Sequence, residues 1–147
     1  MTIAAISPAS DEARSLIREL DTEIAALYPG SPINGIDEDG FEKAGGYFVV
    51  AREADQAMGC GGFVPVDQGC VEIKRMFVRA SARRRGIARQ ILRHLEAEVH
   101  LRGFGSIVLE TGRDNFGARA LYKAEGYSPI DSFQGCVGIP ISRCYAK

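Results

Sequence analysis

The sequence carries no excess of charge of either sign. Its 18 Lys and Arg stand against 19 Asp and Glu, for a net charge of -1. A dedicated nucleic-acid binder is usually basic overall, so no nucleic-acid partner is expected and any grip on anions must be local. Long apolar runs are also missing. None approaches the ~20 residues that cross a bilayer, so no membrane partner is expected. The opening residues, MTIAAISPASDEA, have no basic stretch followed by a long apolar core. No signal peptide is therefore expected, and the expected compartment is cytoplasmic. Histidine is scarce, with only His94 and His100, and the four cysteines (Cys60, Cys70, Cys136 and Cys144) form no C-x-x-C pair. No zinc pattern is completed and no metal is expected. Without an export signal, reduced and free thiols are the expectation. No histidine lies near a cysteine in sequence, which disfavours a catalytic thiol. There is no internal repeat or low-complexity tract, and 147 residues suit one domain over 1–147.

What is present is an ordinary globular composition, 46% apolar and 25% charged. Thr2 to Ile6 reads as a first strand, and Ser7-Pro8 as a helix cap followed by proline at the first helical position. Ala13, Leu16, Ile17, Leu20, Ile24 and Leu27 then recur at steps of three and four, which predicts one helical face, stopped by YPGSP at 28–32. Residues 31–46 are polar and glycine-rich, with an acidic group of Asp37, Glu38, Asp39 and Glu42. Strands are predicted over 47–52, 57–66 and 70–78, joined by short turns as an antiparallel meander. A helix is predicted over 84–102 from the spacing of Ile87, Ile91, Leu95 and Val99, and a doubly buried strand at SIVLE, 106–110. A second helix over 115–125 and short strands at 127–130 and 141–146 follow. The fold class is thus mixed α/β (α+β), a mostly antiparallel sheet flanked by helices. One right-handed crossover makes a parallel pair of strands 70–78 and 106–110.

The most telling stretch is SARRRGIARQIL, residues 81–92. Three arginines and a glycine lie between a strand and a helix. A helix start offers unpaired N–H groups and a partial positive charge. Gly86 lets the backbone approach a ligand, and Ala88 leaves room two residues later. Such a turn suits a phosphate or pyrophosphate.

In its context, Arg83-Arg84-Arg85-Gly86-Ile87-Ala88 resembles the coenzyme A pyrophosphate loop, (Q/R)-x-x-G-x-(G/A), of the GNAT N-acetyltransferase superfamily. The strand VEIKRMFV before it, the strand SIVLETG and the stretch DNFGARALYKAEGY after it carry the likeness through residues 70–128. The resemblance implies a GNAT acyl-CoA N-acyltransferase fold in which strand 70–78 splays from strand 106–110. Acetyl-CoA, as co-substrate, would lie in that opening. Its pantetheine arm would pair with the main chain of Met76 and Val78, and an N–H near Phe77 would face the thioester oxygen. The amides of residues 84–88, with Arg83, Arg84 and Arg85, would hold the pyrophosphate, and Asn115 would border pantetheine.

The implied activity is direct transfer of acetyl to a primary amine of a small molecule or peptide. A neutral amine needs a base near neutral pH. Glu72 stands at the offset from Gly86 where some members carry theirs, and pairing with Lys74 is its alternative role. Tyr122, in A-L-Y-K, matches the tyrosine that commonly protonates the departing thiolate. The alternative function is a non-catalytic acetyl-CoA sensor, against which the presence of both Tyr122 and Glu72 argues. GCGG at 59–62 lies within a strand and opens no helix, so it is discounted as a nucleotide loop. His94 and His100 fall off the apolar stripe and read as surface residues. The acidic group at 37–42 hints at a cationic acceptor, and a homodimer through the terminal strands is compatible with the pattern.

Overall fold

A computed structural model describes residues 1–30, 38–67, 69–131 and 142–147. Its elements run β1 (Thr2–Ala5), α1 (Asp11–Leu27), α2 (Glu38–Lys43), β2 (Tyr47–Glu53), β3 (Gln56–Asp67), β4 (Cys70–Val78), a 3-10 turn (Ala80–Ala82), α3 (Ile87–Leu101), β5 (Ser106–Gly112), α4 (Phe116–Ala124), β6 (Ser128–Ile130) and β7 (Ser142–Ala146). The described strands form one sheet in the order β1-β2-β3-β4-β5-β7-β6. Its pairs are antiparallel except β4–β5, which is parallel. The mixed, mostly antiparallel architecture, the meander of β2 to β4 and the crossover through α3 are as the sequence predicts.

Alternation along the strands divides the core between two faces. On one, Val71, Ile73, Ile107 and Leu109 pack with Ile87, Ile91, Leu92, Leu95 and Val99 of α3 and with Tyr122 of α4. On the other, Phe48, Val50, Cys60 and Phe77 pack with Ala13 and Leu16 of α1 and Phe41 of α2. Leu95 is wholly buried, and truncating such a residue to alanine costs about 2–5 kcal/mol.

Two helices start later than the sequence suggests. Ser7 and Pro8 form a turn, in which Ser10 N–H donates to the Ser7 carbonyl (3.1 Å). Ser10 is the cap of α1, its hydroxyl accepting from Ala13 N–H at 3.3 Å. The helix α3 begins at Ile87 because Arg84 (φ 64°) and Gly86 (φ 77°) both take left-handed conformations that a right-handed helix excludes. The strand β5 runs two residues past the expected end, to Gly112. β6 begins at Ser128, since Tyr127 N–H is drawn back to the Tyr122 carbonyl at 2.9 Å.

The cysteines depart from expectation. Cys60 and Cys70 are free, but Cys144 is disulfide-bonded. Only the tertiary placement of β7 between β5 and β6 brings Cys144 to its surroundings, so no sequence spacing announces the bond. Of the loop 28–46 and the tail 128–140, expected from the sequence to shape the acceptor pocket, residues 31–37 and 132–140 lie outside the described residues, and with them Asp37 and Cys136; the Asp39 side chain is likewise outside them.

Candidate active site

The strands β4 and β5 are paired only from Cys70↔Ser106 to Ile73↔Leu109. Beyond that point β4 continues to Val78 and β5 to Gly112 with no pairing between them, so the two strands part. A bulge drives the separation. Between Lys74↔Gly62 and Phe77↔Cys60, β4 holds two residues, Arg75 and Met76, against the single Gly61 of β3. A bulge of this kind bends and twists its strand. Arg75 takes φ 60°, a conformation that costs a non-glycine residue about 1–3 kcal/mol and is common near functional sites. Its guanidinium is buried and ion-paired with Asp21 of α1. Gly61 accommodates the bulge, since a Cβ there would lie 2.5 Å from the Met76 sulfur. The GCGG stretch is therefore a strand under close contact, in agreement with its dismissal as a nucleotide loop.

The opening has two differently furnished faces. Val71 and Ile73 face α3, so Glu72 and Lys74 between and after them face α1. By the parallel register Val108 faces the same way as Glu72, and so does Glu110, two residues on. Glu72 is buried, and its carboxylate lies 3.7 Å from Lys74 Nζ. Glu110 stands one step past the last paired position, at the fork. Its Oε2 is buried and has no hydrogen-bond partner among the described residues, and such orphaned atoms call for an explanation. Sequence reasoning missed Glu110. The available signal was a lone charge in an otherwise apolar strand.

On the α3 face, Tyr122 is packed between Tyr127 (ring centroids 5.8 Å apart) and Tyr145 (6.2 Å). Among the described residues its hydroxyl makes no hydrogen bond. Burial pushes its ionisation above the ordinary phenol range, which keeps the proton on the oxygen. Tyr127, the neighbour that reads as core, donates to Glu96 at 2.9 Å.

The loop of arginines follows the 3-10 turn at the end of β4. Gly86 caps α3 without a side-chain bond, which leaves the amides of the first turn available. Arg83 Nε donates to the Val78 carbonyl (2.8 Å), and its Nη2 donates to Glu23 (2.6 Å). Arg85 pairs with Glu53. Arg84 is exposed and has no partner among the described residues. Ile87 is buried under the loop and Ala88 half-buried. Met76, Phe77 and Val78 line the part of β4 that β5 has left, with Phe77 and Val78 still paired to Cys60 and Gly59 of β3. Asn115 caps α4, its Oδ1 accepting from Ala118 N–H at 3.2 Å.

Tyr122 thus lies on the α3 face, Glu72 on the α1 face within the paired stretch, Met76–Val78 on the part of β4 beyond the fork, and Arg83–Ala88 after the end of β4. Asn115 lies past the end of β5. His94 is half-buried against Tyr47 (Nε2 to hydroxyl 2.9 Å) on the β2 side, and His100 is exposed. Among the described residues no group of His, Cys, Asp and Glu could hold a metal, and no helix is long and apolar enough to cross a membrane.

Comparison with known proteins agrees with this geometry. Residues 11–127 match the acetyltransferase (GNAT) family. An IAA acetyltransferase of Azospirillum brasilense is 36% identical over 134 residues, covering 90% of this chain and 88% of the relative. A solved structure from Klebsiella pneumoniae superposes with a TM-score of 0.85 at 27% identity, over 99% of this chain and 95% of that one. A GNAT family acetyltransferase from Elizabethkingia anophelis with acetyl-CoA bound has the same fold (TM-score 0.73, 18% identity, 99% and 95% covered). The chain belongs to the GNAT acetyltransferase family and is an acyltransferase.

Proposed function

We propose that this protein moves an acetyl group from acetyl-CoA to a primary amine of a small molecule or peptide, by direct transfer. The observation that carries the reading is the opening between β4 and β5. Beyond the last β4–β5 pair, Met76–Val78 leave a strand edge that β5 does not cover, with the start of α3 at its end and the buried ring of Tyr122 on the α3 face, and these support the reading. These features fit acetyl-CoA. The amides of residues 84–88 and the guanidinium of Arg84 would meet the pyrophosphate. Met76 and Val78 would offer main-chain groups to pantetheine as a strand edge does. Asn115, already occupied at Oδ1, has its amide nitrogen left for the border of the site.

In the reaction the amine attacks the thioester carbonyl and coenzyme A departs. Main-chain N–H groups near Phe77 would stabilise the oxyanion, a contribution of ~3 kcal/mol per donor. Tyr122 would return a proton to the departing sulfur. Glu72, whose carboxylate lies 3.7 Å from Lys74 Nζ, would take the proton that the ammonium must lose. A second carboxylate would share this task. Glu110 has a buried oxygen with no partner among the described residues on the same face as Glu72, and an incoming ammonium would supply the missing donor. Two carboxylates against one lysine favour a cationic acceptor on the α1 side. Of the acidic loop, Glu38 is taken by Arg14 at 2.7 Å, while Glu42 is exposed.

The test is release of coenzyme A thiol from acetyl-CoA over polyamines, amino acids, aminoglycosides and lysine or N-terminal peptides. Turnover driven by an amine supports the transferase. Binding of acetyl-CoA with no turnover across the panel returns the sensor reading.

A further inference from the structure

Arg83 opens the loop pattern, and its contacts bind the loop to the rest of the protein. Its Nε donates to the carbonyl of Val78, the last residue of β4, at 2.8 Å. Its Nη2 sits 2.6 Å from both oxygens of Glu23 in α1. Its guanidinium carbon lies 5.6 Å from the centre of the Phe77 ring, within cation–π reach. One side chain thus touches the wall of the opening, the loop and the helix over it.

The same stretch of α1 makes two further ion pairs to this wall, Glu19 with Arg79 (2.8 Å) and Asp21 with Arg75. At its far end α1 reaches the opposite wall. The Tyr28 hydroxyl accepts from Asp114 N–H at 2.9 Å, and a Cβ on Gly112 would lie 2.6 Å from that oxygen. The helix therefore straddles the place where β4 and β5 part, and Glu23 is its fixing point nearest the arginine loop.

We infer that Arg83 is a positioning residue, a clamp joining Val78 to Glu23, and that the mobile positive charge for the pyrophosphate is Arg84. The inference rests on the cofactor reading above. A guanidinium that turned from this arrangement to a phosphate would give up a carbonyl and a carboxylate together. It would also leave Glu23 uncompensated beside a bound dianion, which is repulsive. Arg84 has no such ties. Glutamine, the other residue the loop pattern admits, shares the N–H donor that reaches a carbonyl but lacks the charge.

Calorimetric titration with coenzyme A at low and high salt tests this on the intact chain. Both members of the pair are about half exposed, so Glu23→Gln and Arg83→Gln should fold with little change in Tm. The clamp predicts that Glu23→Gln weakens coenzyme A binding about five-fold, the upper end for one half-exposed ion pair. Arg83→Gln should weaken binding too, and the double variant, which restores the local charge balance, should still bind less tightly than the wild type. Arg84→Gln should weaken binding and flatten the salt dependence. Tighter binding by Glu23→Gln, with a steeper salt dependence, would show Arg83 to be a phosphate ligand held back by Glu23 and overturn the clamp. Unchanged binding in Glu23→Gln would overturn it too. Failure of the wild type to bind coenzyme A would instead sink the cofactor reading, and the clamp with it.

Discussion

Tyr122 and Glu72 lie on opposite faces of the same sheet. Tyr122 is in the cluster under α3, and Glu72 points to the α1 side between two residues of that cluster. The pairing of β4 and β5 ends at Ile73 and Leu109, one step beyond Glu72, and past that point the sheet no longer separates the two faces by paired backbone. This suits a transfer in which donor and acceptor arrive from different sides. The proposed acid stands on one face and the proposed base on the other.

Tyr122→Phe keeps the ring packing against Tyr127 and Tyr145 and removes only the hydroxyl. Since that hydroxyl makes no hydrogen bond among the described residues, Tm should change by little. The expected outcome is a loss of about 100-fold in kcat, the lower end for a general acid, with acetyl-CoA binding retained. Because burial raises the Tyr122 pKa, the wild type should keep its acid through the range where an ordinary phenol ionises. The kcat profile should therefore show no alkaline fall near pH ~10. A fall there would demote Tyr122.

The two carboxylates can be separated by substitution. Glu72→Gln and Glu110→Gln each remove one charge from the α1 face. The base should cost about 100-fold in kcat and abolish the acidic limb of the kcat/KM profile. The residue that only holds the ammonium should raise the acceptor KM instead. Steady-state kinetics over pH with one reactive amine distinguishes them.

Gly86 has φ 77°, and a Cβ there would meet no atom within 4 Å. A valine is therefore resisted by backbone conformation rather than by crowding, at about 1–2 kcal/mol. Gly86→Val should lower Tm by a few degrees and raise the acetyl-CoA KM at least ten-fold by moving the loop amides. Thermal melts and initial rates check both. An unchanged KM would mean that these amides do not hold the cofactor.

Burial pushes the Cys60 thiol up to about 12, so it stays protonated and unreactive at neutral and mildly alkaline pH. Alkylation at pH ~8 should modify half-buried Cys70 and spare Cys60 in the folded protein, and mass spectrometry locates the adduct. The raised value also means the folded state holds this proton when the unfolded chain has released it. The contribution is present below the ordinary thiol pKa and lost as pH rises towards about 12.

The sequence made some of this site legible and hid the rest. The arginine loop, Ala88 and Tyr122 are local patterns, and periodicity places them at a helix start and on a helix. The apolar step of α3 was equally plain, because its residues bury one continuous stripe. The bulge at Arg75 was not legible, since the partner of its buried guanidinium, Asp21, lies 54 residues away. Glu110 gained its meaning only when β4 turned away from β5. The partners of Arg83 and Arg85, Glu23 and Glu53, belong to elements whose approach no local pattern fixes. Three like charges in sequence turned out to have different surroundings.

The most direct test of the central claim is an amide NMR titration of the wild-type protein with coenzyme A. Coenzyme A should shift the amides of Met76 and Val78 on the open edge of β4, of residues 84–88, and of Tyr122 and its neighbours in α4. The paired stretch from Cys70 to Ile73 should stay nearly still. Shifts confined elsewhere, or none at saturating coenzyme A, would contradict the assignment of this opening as the acetyl-CoA site.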